Sequence, residues 1–518
     1  MSEQASAGST RRFSRRQFLG FGAGGAVLVG AGIAGVRLLD QTARVSPRSA
    51  AVNSAEAARR TTGRIVRREL HSALADVDLG GRTVSTWAYD GTVPGPEIRL
   101  AAGDELRVRL TNHLPAATTV HWHGIALRND MDGVPTVTQD AIAPGSSFDY
   151  AFVVPHPGTY FFHPHVGVQL DRGLQAALIV EDPAEPGGYD QEVVLVLDDW
   201  TDGWGDSPDA LLAGLRRNGM GGMGGGSMGG MDMGSGSSMG GMPMGATAAA
   251  PLGQDTGDVA YPAHLINGRV PGAAVTVDSR PGRRIRFRLI NAGSDTAYRF
   301  AIGAHQLTVT HSDGFPVKPV EVDTLILGQG ERYDVVVTTA DGAFPIVAVP
   351  EGKTDPAGFA VLRTASGAVP SPQTRPTELN GRMLRYADLS PTEQVTLGNR
   401  QPDRQLDVRL TTANGGRSWL INGRTFAEHE PLDVKAGERV RLVMSNQSMM
   451  FHPMHLHGHT FAVANGGGRG LRKDTINVLP MQTLAVDLQA DNPGQWAFHC
   501  HNIYHGELGM MTVLSYVQ

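Results

Sequence analysis

A single cysteine, Cys500, stands in a chain of 518 residues, so no disulfide within the chain staples this fold. Aromatic residues make up only 6% of the sequence, while Gly (66) and Pro (31) are abundant, which favours many short strands and turns over long helices. No block of like charge occurs: 45 Lys and Arg face 51 Asp and Glu, and the net charge of −6 leaves no nucleic-acid footprint. Beyond the N-terminal segment there is no run of ~18 apolar residues, so no second membrane span is expected. An isolated buried cysteine is ordinarily an inert packing residue. This one sits in "AFHCHNIYHGELGMM" (497–511), between two histidines.

The N-terminus reads as an address. "SRRQFLG" (14–20) opens an apolar Gly/Ala-rich run to Leu39 and resembles a twin-arginine export signal. No cysteine follows it, which excludes a lipoprotein, and no clear A-x-A cleavage site stands out, so an uncleaved anchor is the alternative. The working part is expected outside the cytoplasm, in the periplasm, cell envelope or medium.

One unit recurs three times. "GDELRVRLTN" (103–112), "GRRIRFRLIN" (282–291) and "GERVRLVMSN" (437–446) each run from Gly through an alternating strand pattern to Asn. "HLINGR" and "WLINGR" end 155 residues apart, at Arg269 and Arg424, and "GTYFFHPH" (158–165) matches "GQWAFHCH" (494–501). Repeats of this spacing are whole domains rich in short strands and turn residues, hence β-sandwiches or barrels. The expected organisation is a signal and linker over 1–60, then all-β domains over 61–184, 185–370 and 371–518. The middle domain carries a Met-rich insertion at about 213–253, in which residues 219–245 hold eight of the 18 methionines.

Histidine phase separates the copies. His121 and His123 lie nine and eleven residues after Asn112, and His455 and His457 keep those offsets from Asn446. In the middle copy the same places hold Phe300 and Ile302. His163 and His165 match His499 and His501, while the middle copy has Val347 and Val349. Alternation along a strand puts both imidazoles of an H-x-H pair on one face. Eight such imidazoles exceed a four-ligand zinc site and suit a cluster of imidazole-loving metals, copper foremost. Cys500 faces the other way, where His452, His505 and Met510 can join it. Two His, a thiolate and a weak Met compose a blue-copper electron-transfer site.

"HWHG", "HPH", "HPMHLHGH" and "HCHNIYHGELGMM" resemble the four copper motifs of the multicopper oxidases, in order, over residues 65 to 518. The likeness is strongest to bacterial, twin-arginine-exported copper-resistance oxidases and similar actinobacterial enzymes. It implies three cupredoxin-like domains and four copper ions per chain. The type 1 ion would be held by His452, Cys500, His505 and Met510. His121 and His455 would hold type 2. The two type 3 ions would fall to His123, His163 and His501, and to His165, His457 and His499. The implied reaction draws single electrons from a donor at type 1 copper and reduces O2 to water at the trinuclear cluster. Asp132 matches an acidic residue near that cluster. The acid that often follows the last type 1 histidine is replaced by Gly506, which makes Glu507 the candidate second proton donor. A monomer is expected, since all ligands lie in one chain.

The Met-rich tract suits Cu(I), because thioether sulfur is soft, and Met450 could serve as a relay. Cu(I) is therefore the expected donor, in the service of copper tolerance. The alternatives are laccase-type oxidation of phenols or aromatic amines, oxidation of Mn(II) or Fe(II), and copper sequestration without turnover. Relatives can carry an acid four residues before His452, where this chain has Ser448.

Overall fold

The computed structural model describes residues 44–182, 185, 188–219, 250–464 and 469–518. The twin-arginine-like segment and, apart from Gly219, the Met-rich tract lie outside the described residues. Strands organise into three pairs of sheets, a four-plus-four set over Ile65–Glu181, a six-plus-five set over Gln191–Arg363 and another over Arg404–Tyr516. The expected all-β, cupredoxin-like architecture is what is found. Among the described residues no helix is long and apolar enough to cross a membrane.

The repeated sequence has the same place in each pair of sheets. Glu105–Asn112, Arg284–Asn291 and Arg439–Asn446 each lie between a parallel partner upstream in the chain and an antiparallel one downstream. The glycine that opens each repeat, Gly103, Gly282 or Gly437, has φ between 76° and 88°, a turn conformation that an L side chain strains to reach. The asparagine that closes it is buried and pins the next loop from both ends of its amide. Asn112 donates to the carbonyls of Ala116 and Ile142 and accepts from Leu114 N–H. Asn291 and Asn446 repeat this with Thr296, Leu327 and Gly293, and with Met450, Val478 and Ser448. In the first and third copies that pinned loop feeds an H-x-H strand.

Pairing then sets the histidines against each other. His121 is opposite His163 in the first sandwich, and His455 is opposite His499 in the third. In the middle one Phe300, Ile302 and Val347 are buried hydrocarbon. Trp122, between the two histidines of its strand, points into the core against Tyr150, Phe152 and Phe162. The segment before the first strand is folded from Val45. Val45 N–H donates to Tyr516 O, Ser49 caps the helix Ala50–Ala57, and Glu56 accepts from Val153 N–H, so this strap ties the first sandwich to the third.

Candidate metal centre

Three buried ligand-type atoms converge on the far side of the strand Gln495–Cys500. Cys500 Sγ lies 3.6 Å from His452 Nδ1 and 3.5 Å from His505 Nδ1, and the two nitrogens are 3.2 Å apart. Met510 is buried, and its backbone bonds to both Cys500 and His505. Outer partners settle which ring nitrogen faces inward. His452 Nε2–H donates to Ser448 Oγ (2.8 Å), whose hydroxyl lies 2.8 Å from Asn446 Oδ1, so the repeat asparagine reaches the site through one serine. His505 Nε2 donates to Asp258 Oδ2 at 3.0 Å. In each ring Nδ1 is thereby the nitrogen that faces the sulfur.

On the near side, eight imidazoles from the first and third sandwiches interlock. His121 stacks on His457 with ring centres 3.7 Å apart, and His123 on His455 at 3.8 Å. His165, His457 and His499 present nitrogens within 4.8 Å of one another, as do His121, His123 and His163. His501 stands 4.8 Å from His123 and 5.3 Å from His163, ring centre to ring centre. The Nδ1–H groups of His121, His163, His455 and His499 donate to the carbonyls of Asp132, Pro164, Asp474 and Cys500, all at 2.9 Å. His457 Nδ1 donates to Asp132 Oδ2 at 3.0 Å. His123 is turned over: its Nε2 faces Asp474 Oδ1 and Thr475 Oγ1, and its Nδ1 is free. The Cys500 residue thus carries its sulfur on one face, while its own carbonyl bonds a histidine on the other.

Of the inward nitrogens, Nε2 of His499 lies 2.9 Å from that of His457 and 3.4 Å from that of His165, and the others have no protein partner. Nε2 of His121, His163 and His455, Nδ1 of His123 and both nitrogens of His501 are buried without hydrogen bonds. Each orphan costs about 1–3 kcal/mol. A borderline-soft cation accepting their lone pairs removes that cost, and the donor set fits copper. Burial, reinforced for most of them by neighbouring imidazoles, holds His123, His163, His165, His452, His457 and His501 well below the usual histidine range and brings His499 to about 3. These rings are neutral in the fold and protonate near 6.5 once unfolded. The unfolded chain therefore binds more protons below that pH, and stability falls as pH falls. His505, whose burial is outweighed by Asp258 and Cys500 so that it rises to about 10, is charged in the fold throughout that window and offsets only a small part of the loss. Metal-free protein is expected to lose about 1.4 kcal/mol per pH unit for each such ring below pH ~6.5. Calorimetry from pH 7 to about 5 checks this; a flat midpoint contradicts it.

Asp132 is buried between His121 and His457. Glu507 ends the short helix Ile503–Glu507, and its carboxylate lies 3.9 Å from Arg216. Glu507 is itself exposed at the rim of a cavity of about 500 Å³ shared with His165, His499 and His501, where partial desolvation raises its carboxyl above the ordinary value against the pull of Arg216. Met450 is buried. Sequence reasoning missed Asp258, Asp474 and Arg332. Asp474 takes a two-pronged ion pair from Arg332 at 2.6 and 2.7 Å, which overcomes its burial and holds it well below the carboxylate range. None of the three belongs to a spaced motif.

Models of the multicopper oxidase family match residues 74–185, 191–367 and 399–518. The chain is 46% identical to multicopper oxidase MmcO of Mycobacterium tuberculosis across the whole of both chains. It is 30% identical to a copper resistance protein A homolog of Pseudomonas syringae pv. tomato, over 84% of this chain and 89% of that one. Among solved structures, a multi-copper oxidase from Pseudomonas parafulva superposes with a TM-score of 0.65 at 28% identity, covering 87% of this chain and all of that one. Fet3p, a multicopper oxidase that functions in iron import, shares the fold with a TM-score of 0.72 at 23% identity, over 87% and 90% of the two chains.

Proposed function

The chain belongs to the multicopper oxidase family and is a copper-dependent oxidoreductase, and from that premise we propose that it oxidises Cu(I) outside the cytoplasm at the expense of O2. His452, Cys500, His505 and Met510 would hold the type 1 ion, and His121 and His455 the type 2 ion. His123, His163 and His501 would hold one type 3 ion, and His165, His457 and His499 the other. Bound there, copper supplies one-electron oxidation of the donor and four-electron reduction of O2 to two waters. The observation that carries this reading is the convergence of Cys500 Sγ with two Nδ1 atoms, next to a carbonyl that bonds His499.

The chain's own groups do the rest. Ser448 and Asp258 hold the outer nitrogens of His452 and His505, which leaves each Nδ1 turned toward Cys500 Sγ, where a bound ion would take its lone pair. Asp132 orients His457 and offers a carboxylate for proton transfer beside the cluster. Glu507, whose carboxyl is held above its usual pKa, is placed to carry protons through the cavity it shares with three of the imidazoles. Cu(I) fits for two reasons. Eight soft thioethers lie in residues 219–245, and the rings of His452 and His505 are wholly buried, with Nε2 of His505 covered by Asp258. A small ion needs only an electron path through such partners, whereas a phenol in laccase fashion gains from touching the ring edge. The domains are proposed at 61–184, 185–370 and 371–518, in a monomer exported by the twin-arginine route.

Metal analysis, visible spectroscopy and an oxygen electrode test the reaction. Four coppers, a blue thiolate band and O2 uptake driven by Cu(I) are expected; bound copper without O2 uptake would mean sequestration. For the donor, deletion of residues 219–245 is expected to depress Cu(I) oxidation far more than phenol oxidation. Equal effects on both, or none, remove the role of the methionines.

A further inference from the structure

The middle sandwich supplies no imidazole, yet its loop between the strands Leu325–Leu327 and Arg332–Thr338 lies against the histidines. At Gly330 (φ +80°) an added Cβ would stand 2.9 Å from His123 Cε1 and 2.9 Å from His501 Cδ2. Only a residue without a side chain lets the backbone approach those rings so closely. Two residues on, Arg332 is fully buried. Its guanidinium grips both oxygens of Asp474, and its Nε donates to Thr159 O of the first sandwich. Asp474 Oδ1 then faces His123 Nε2 at 3.2 Å, and the Asp474 carbonyl accepts from His455 Nδ1. The loop is tied to the third sandwich again through Glu331, which accepts from Lys473 and Asn477.

We propose that Arg332 and Gly330 are positioning residues through which the middle domain sets three imidazoles that it does not own. Arg332 fixes Asp474, and so the inverted ring of His123 and the tautomer of His455. Gly330 fixes the distance at which His123 and His501 stand. The inference rests on the copper reading above and adds a reason for the middle domain to be retained beside a site formed by its neighbours.

Chelator competition on the copper-loaded full chain tests it, with the blue thiolate band reporting the Cys500 site and paramagnetic resonance reporting the imidazole-held copper. Gly330→Ala keeps every charge, and Arg332→Lys keeps the charge but loses the fork. Both are expected to release imidazole-held copper about 10-fold more readily while the thiolate band is unchanged, the size typical of losing an outer partner. Competition curves equal to wild type overturn the proposal. So does loss of both classes of copper in step, which marks simple destabilisation. Where Arg332→Lys yields no folded chain, Gly330→Ala alone decides. A wild-type chain that binds no copper at the imidazoles overturns the copper reading itself, and the inference with it.

Discussion

Cys500→Ser is expected to abolish the visible thiolate band and to cut oxidase turnover by more than about 100-fold, beyond the 10–100-fold typical of an outer partner. The exchange is nearly isosteric, and Cys500 N–H keeps its bond to Met510 O, so the strand and the eight imidazoles remain in place. What changes is the donor. A thiol ionises and is soft, whereas a serine hydroxyl stays protonated and hard. Two Nδ1 atoms at 3.5 and 3.6 Å would then face an atom unable to complete the electron inlet. Spectroscopy, copper counting and O2 consumption read the result together. A serine variant that retains the band and the turnover would remove the type 1 assignment.

For Asp132→Asn the expected result is a turnover lower by about 10–100-fold with copper content unchanged. The amide keeps the shape of the group and offers one oxygen to His457 Nδ1, so ring orientation survives. It has no negative charge and does not carry a proton at neutral pH. Reduction of the blue site by the donor should keep its wild-type rate, because Asp132 lies on the imidazole side of the Cys500 strand. Stopped-flow reduction under nitrogen, followed by reoxidation with O2, separates the two steps. Loss of copper from the variant would make Asp132 a positioning group only, and unchanged turnover would exclude both roles.

Sequence by itself determined the repeats, the all-β class and the two-sided placement of Cys500 against His499 and His501. The reason is local: strand side chains alternate with a period of two, so an H-x-H or H-C-H string declares its faces without reference to any other part of the chain. The closing asparagine of each repeat was likewise visible, though not that Asn446 reaches His452 through Ser448. Tertiary structure alone decided which ring nitrogen points inward at His123, His457 and His505, because there it depends on partners from distant segments. Asp258 lies 247 positions from His505, and Asp474 lies 351 from His123 and 142 from Arg332. Such partners are brought together by the docking of one sandwich on another, which leaves no period in the sequence. The same holds for the strap from Val45, whose stretch reads as a linker because its single buried turn packs against strands far along the chain.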